Sequence, residues 1–141
     1  RLGFDAGLAQ AGLAALEAGD DFRGDFSAAY GLAAAERVLA LPHRPTAIFC
    51  DNDEMAIGLI KGLTAAGVRV PHDISVMGFD NIEMAAFFSP GLTTIRQYRA
   101  RLGRQAAELL VARMQGRATD GSVTLSVDLV VRGSTAGVDK S

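Results

Sequence analysis

What this sequence has little of sets its bounds. It has one cysteine, Cys50, so no disulfide can close within the chain. That cysteine ends an apolar run, so its thiol reads as buried and inert rather than reactive. There are two histidines, His43 and His72, each beside a proline in a turn and neither spaced with other ligands as a metal site requires. Both are assigned to the surface, and no Ser/His/Asp set has support. No Gly-rich phosphate loop and no zinc spacing occur. No apolar stretch approaches the ~20 residues a membrane helix needs, and no signal-peptide pattern is visible. The net charge is −2 without a basic run, which leaves this piece no electrostatic footprint for nucleic acid.

What is present reads as one folded α/β unit. The 141 residues are 49% apolar with charges of both signs interspersed, enough to bury a core. The chain starts at Arg1 with no initiator methionine and enters a helical pattern at once, which reads as a piece of a longer protein. Its organising stretch is Thr46 to Gly62. There a short apolar run, Ala47 to Cys50, stops at Asp51-Asn52-Asp53, and apolar residues then recur at helical spacing. A buried strand that ends in a polar turn and feeds a helix is the pattern expected at the ligand-binding edge of an α/β sheet.

Along the rest of the chain, alanine-rich Leu2 to Ala18 predicts a helix with Gly19 as its stop, and Asp20 to Asp25 a loop around one brief strand. Ser27 is a good N-cap for a helix over Ala28 to Leu41, with Leu32, Ala35, Val38 and Leu39 as its apolar face. Gly67 closes the helix after Asp53. Ile74 to Phe79 is a near-continuous apolar run, as in parallel strands covered on both faces, and it ends on Asp80. Asn81 to Gly91 is irregular, with one of Phe87 and Phe88 expected to be exposed. Leu92 to Ile95 is β-prone, Arg99 to Met114 predicts an amphipathic helix, and Val123 to Val131 alternates as a strand. Alternating strands and helices imply a largely parallel sheet flanked by helices.

The candidate chemistry sits at the strand ends. Within Asp51-Asn52-Asp53 a cap uses one side chain, so others remain free to face a ligand; Asp53 is assigned the cap and Asp51 is left open. Asn52 and Asp80, delivered by two strands to one edge, suit a hydroxyl-rich ligand, because a carboxylate accepts and an amide both donates and accepts. Phe26, after Gly24-Asp25, is either core or an apolar platform for the face of a sugar or base. The run Ile48 to Asp53 also looks like the strand-DxD motif of haloacid-dehalogenase-type phosphatases, which would bind Mg²⁺. Met55 departs from that pattern.

A longer series resembles regulators of the lactose-repressor/galactose-repressor family. It comprises Arg44 to Gly58 (RPTAIFCDNDEMAIG), Ala66 to Pro71, Asp73 to Asp80 (DISVMGFD), Pro90 to Gln97 (PGLTTIRQ), Leu102-Gly103 with Ala106, and Leu129 to Thr135 (LVVRGST), with Gly24 to Ser27 and Gly3-Phe4 upstream. The resemblance implies an α/β, periplasmic-binding-protein-like (type I) fold, present here as a partial domain. Residues 1–97 would form most of the C-terminal lobe, 98–121 would cross into the N-terminal lobe, and 122–141 would return. The amino-terminal helix-turn-helix is absent from this chain. It further implies a cytoplasmic, homodimeric bacterial repressor with no catalytic residues, no metal and no cofactor. Its partners would be a small sugar-like effector and, through the missing domain, operator DNA. Phe26 would stack on the effector, Asn52 and Asp80 would hydrogen-bond it, and Gln97 is a weaker contact because Tyr98 replaces the usual proline. Met55, Ile57 and Phe88 would serve a dimer face. A periplasmic sugar-binding protein of a transporter is the alternative.

Overall fold

The computed structural model of the chain describes residues 2–14, 22–117 and 122–137. Its frame is a four-stranded sheet in the order β1-β2-β3-β4, formed by β1 (Ala47–Phe49), β2 (Ser75–Asp80), β3 (Thr93–Arg96) and β4 (Asp128–Val130). The first three strands are parallel, with Ile48 opposite Val76 and Gly78 opposite Thr94; β4 joins antiparallel, with Ile95 opposite Leu129. Strands that run parallel need crossovers. Helix α3 (Asp53–Ala65) supplies the one between β1 and β2, and the short helix α4 (Met84–Phe87) lies between β2 and β3.

One face of the sheet is packed by α3, which in turn packs on α2 (Ala28–Ala40). Ile60, Leu63, Val38, Val76 and Leu92 form the centre of this core. The two helices approach backbone to backbone. A Cβ on Gly31 would lie 2.1 Å from the Met55 carbonyl oxygen, and one on Gly58 would lie 2.0 Å from that of Ala28. This contact explains why the buried face of α2 is Gly31, Ala34, Ala35 and Val38. Leu32, expected on that face, is instead exposed, since a large side chain has no room where two backbones touch.

Local signals set several boundaries as expected. Ser27 caps α2, its Oγ accepting from the Tyr30 N–H at 3.0 Å. At the end of α3, Gly67 adopts φ 81°, and the Val68 N–H reaches back to the Leu63 carbonyl at 3.0 Å. Such a left-handed C-terminal turn favours glycine. Helix α5 (Arg99–Met114) has the bounds its periodicity predicts.

Other expectations need correction. Helix α1 spans Leu2–Gln10 and turns at Gly12 rather than running to Ala18; residues 15–21 lie outside the described residues. No strand forms between Phe22 and Asp25. The segment after Asp80, expected to be irregular, contains α4. Pairing with β3 limits the last strand to Asp128–Val130, so Val123 to Val127 remain outside the sheet. The second face of the sheet is only partly covered: Met77 and Phe79 are half-buried, and α1 meets that face where Phe4 stacks on Phe49 at 5.7 Å. Helix α5 buries none of its residues, and Leu102, Leu110 and Met114 are open to solvent.

Candidate functional site

The three parallel strands end at one edge. Beyond β1 lies Cys50-Asp51-Asn52, β2 ends on Asp80, and Gln97 follows β3. Hydrogen bonding along adjacent parallel strands places these three ends side by side, the arrangement by which open α/β sheets bind ligands.

Asn52, not Asp53, caps α3. Its Oδ1 accepts from the Met55 N–H at 2.9 Å, and its Nδ2 donates to the carbonyl oxygen of Phe26 at 2.8 Å. An amide has two donors and two acceptor sites, so one N–H and one lone pair of Asn52 remain for a ligand. Phe26 is thereby held from behind. It lies at φ 64°, a conformation costly for a side chain with a Cβ. The residue is 58% exposed. The turn is braced on its other side by Asp25, whose carboxylate accepts from both the N–H and the hydroxyl of Ser27. Those bonds hold the Asp25 carboxyl below its ordinary pKa.

Asp80 also has positive φ, 116°, and Asn81 after it has φ 53°. The Asp80 Oδ1 accepts from Gln97 Nε2 at 2.5 Å, so two of the candidate residues meet directly. Phe26, Asp80 and Asn81 are the positive-φ residues other than glycine among the described residues. Strain of this kind persists where the surrounding structure over-determines it, and it concentrates at ligand sites.

Beneath these residues lies Asp53, fully buried at the start of α3. Its Oδ1 accepts from the Thr94 hydroxyl at 2.5 Å and its Oδ2 from the Ile82 N–H at 2.8 Å. It ties the α3 terminus to β3 and to the turn after Asp80. Burial pushes its carboxyl above the ordinary pKa of 3.8; the two donors oppose this, and the nearby charge of Asp80 adds to it. A Cβ at position 78 would lie 2.3 Å from Asp53 Oδ1, so Gly78 makes room for it. Burial, with Asp51 and Asp53 near, raises the Cys50 thiol to about 12, in keeping with an inert cysteine.

Several assignments change here. Asp53 is a buried strut and not the cap, because the preceding residue has the extended backbone that a cap requires. Asp51 is exposed. The phosphatase reading, in which Asp51 would be the nucleophile and Asp53 the acid/base, fails on Asp53, whose two oxygens are both engaged inside the core. Among the described residues no group of three His, Cys, Asp or Glu side chains is placed to hold a metal ion. Met55 packs inside the chain against the α2 contact, so its surface is already covered. Ile57 and Phe88 are half-buried against the same core. Phe87, at 79% exposure, and Met84, at 55%, are the open apolar side chains of α4. Sequence reasoning missed Asn81 and Arg132, which lies 51 positions from it; asparagine's tolerance of left-handed backbone was the available signal for the first.

Fold and site together define an α/β unit whose candidate contact residues lie at the carboxyl edge of its parallel strands. Residues 1–135 match the family of periplasmic binding protein-like domains. The chain is 44% identical over 133 residues to the HTH-type transcriptional repressor PurR of Photobacterium profundum, covering 94% of this chain and 40% of that protein. It is 45% identical over 114 residues to the repressor CytR of Escherichia coli, covering 80% and 33%. Among solved structures, a lac repressor dimer bound to operator and the anti-inducer ONPF superposes with a TM-score of 0.77 at 38% identity, covering 81% of this chain and 40% of that one. A LacI family regulator from Enterococcus faecalis with bound ribose superposes with a TM-score of 0.70 at 42% identity, covering 79% and 42%. The chain belongs to the periplasmic binding protein-like domain family, as a relative of the effector-binding portion of lactose-repressor/galactose-repressor regulators. It spans well under half the length of the curated relatives named here.

Proposed function

We propose that this chain is the effector-sensing portion of a bacterial, cytoplasmic transcriptional repressor, and that its ligand is a sugar or a sugar-containing molecule. The observation that carries the reading is that Asn52, Asp80 and Gln97 follow or end neighbouring strands at one sheet edge, Asn52 bonded to Phe26 and Gln97 to Asp80, with backbone strain at Phe26 and Asp80. The exposed ring of Phe26 offers a flat apolar surface to a sugar or base, and Asp80 and Asn52 offer acceptors and a donor to hydroxyls. The ribose found in the Enterococcus faecalis relative supports the same chemistry.

Residues 1–97 and 122–141 form one lobe in this reading, and 98–121, with the open apolar positions of α5, belong to a second lobe across the cleft. Ligand that binds one lobe orientation more tightly than the other shifts the equilibrium between them. A homodimer, with Ile57 and Phe88 at its face, would pass that shift to DNA-binding heads at the amino terminus, a coupling that is reciprocal between effector and operator. The fold alone would also suit a transporter's binding protein, but the relatives reported above are repressors.

The test is calorimetric titration of the full-length protein with D-ribose, D-galactose and adenosine. Wild type is expected to bind at least one of them, and Asp80→Ala to lose that binding. Unchanged affinity in Asp80→Ala, or no binding of any of the three by wild type, overturns the assignment.

A further inference from the structure

We propose that Arg132 is a positioning residue for the ligand-binding turn at Asp80, a role that rests on the effector reading of that turn. Asn81, next to Asp80, lies at φ 53°, a left-handed conformation that asparagine adopts more readily than most residues but still at a cost against ordinary backbone, so an external restraint favours it. Arg132 supplies the restraint through its forked guanidinium. Nη2 donates to Asn81 Oδ1 at 2.7 Å, and Nη1 donates to the Leu92 carbonyl at 2.6 Å. One side chain thus ties the turn after β2 to the residue that leads into β3.

The base of this clamp is itself fixed. The Arg132 N–H donates to Thr93 Oγ1 at 2.9 Å. Two residues on, fully buried Ser134 donates its hydroxyl to the Val76 carbonyl at 2.6 Å and accepts from the Thr93 N–H at 2.8 Å. The segment is therefore laced across β2 and β3 before its arginine reaches the turn. The Asn81 N–H donates to Thr94 Oγ1 at 3.3 Å, and the Ile82 N–H donates to Asp53. Without Arg132, Asn81 is free to return to an ordinary backbone conformation, which swings Asp80 away from Gln97. A lysine carries the charge but lacks the fork that meets two acceptors at once.

The test uses the full-length protein. Without ligand, Arg132→Met, similar in length but without donors, is expected to speed amide exchange at Asn81 and Ile82 by about tenfold, while Ile60 in the core of α3 keeps its protection. Arg132→Lys restores part of the protection. Asn81→Ala, which removes the acceptor from the other side, reproduces the effect should Arg132→Met fold poorly. Equal exchange in wild type and in these variants overturns the clamp, whether or not the turn binds a sugar.

With D-ribose, D-galactose and adenosine as probes, Arg132→Met is expected to weaken binding by about tenfold, the scale of one charge-assisted hydrogen bond. In an Asn81→Gly background, where left-handed backbone needs no restraint, Arg132→Met is expected to change affinity little. Equal losses in both backgrounds mean a general structural role and overturn the proposal. Binding lost in Asp80→Ala but intact in Arg132→Met overturns the clamp and leaves the effector reading standing. Binding intact in Asp80→Ala overturns the effector reading, and amide exchange then decides the clamp alone.

Discussion

The side-chain amide of Asn52 holds the carbonyl of Phe26 at 2.8 Å across 26 positions of sequence, while its oxygen caps α3. One residue therefore sets both the start of the central helix and the seat of the exposed aromatic ring. Replacement by serine separates the two roles, since serine caps a helix but is too short to reach Phe26. Asn52→Ala is expected to lower unfolding free energy by about 2 kcal/mol, from about 1 for the cap and about 1 for the bond to Phe26. Asn52→Ser is expected to lose about half of that. Denaturant melts in which serine matched wild type would show that the bond to Phe26 contributes nothing.

The contact between α2 and α3 depends on glycine for space. Gly58→Ala would drive a methyl group to 2.0 Å from the Ala28 carbonyl oxygen, and backbone cannot yield cheaply. Forcing the helices apart is expected to destabilise by about 2 kcal/mol or more. In this 141-residue chain Gly103 in α5 is the control, because a Cβ there meets nothing within 4 Å. Gly103→Ala is expected to stabilise by about 0.5–1 kcal/mol through helix propensity. Thermal melts of the pair should move in opposite directions.

Asp53 makes stability depend on pH. Burial raises its carboxyl pKa above 3.8 in the folded state, so the folded protein holds that proton more readily than the unfolded one. Its contribution to stability accordingly falls as pH rises from 3.8 through the raised folded value, and it is least favourable above that. Asp53→Asn removes the titration and keeps both contacts: Oδ1 accepts from the Ile82 N–H, and Nδ2 donates to a reoriented Thr94 hydroxyl. The stability of the variant relative to wild type is expected to increase with pH across this window. Urea melts over a pH series measure it, and a constant difference would contradict the argument.

At the opposite edge of the sheet, the Arg69 guanidinium lies 2.5 Å from Asp73 and holds that carboxyl down at about 2. A lowered pKa stabilises above 3.8, and the contribution is lost as pH falls towards 2. Both side chains are open to solvent, so the effect on folding is small and screened by salt. The NMR titration of the Asp73 carboxyl is the sharper readout: Arg69→Ala is expected to return it towards 3.8.

Local chemistry made much of this fold legible. Ser27 before an alanine-rich run, Gly67 after α3 and the unbroken periodicity of α5 each act within one or two helical turns, and all were readable. The strand ends were readable to within one residue for the same reason, as apolar runs halted by polar residues: Cys50 against the observed Phe49, Asp80 as observed, and Ile95 against Arg96. Leu32 was misread because its exposure follows from how closely α2 meets α3, which its own helix cannot reveal. The last strand was overextended because alternation marks a potential strand, whereas pairing with β3 decides its length. Within Asp51-Asn52-Asp53, three residues able to cap stood in a row, and nothing local ranked them.

The sequence by itself determined the class of fold, the edge where ligand-type side chains gather, and the family that shares the pattern. These follow from hydrophobic periodicity, turn chemistry and motif order, which are properties of neighbours along the chain. Only the tertiary structure decided that Asn52 is the cap and Asp53 the buried strut, that Phe26 and Asp80 are held in strained backbone, and that Arg132 reaches Asn81. Most of these rest on contacts distant in sequence, from 17 positions between Asp80 and Gln97 to 51 between Asn81 and Arg132. They exist because sheet register and the close crossing of two helices bring particular atoms within hydrogen-bond distance, and no local preference encodes that distance.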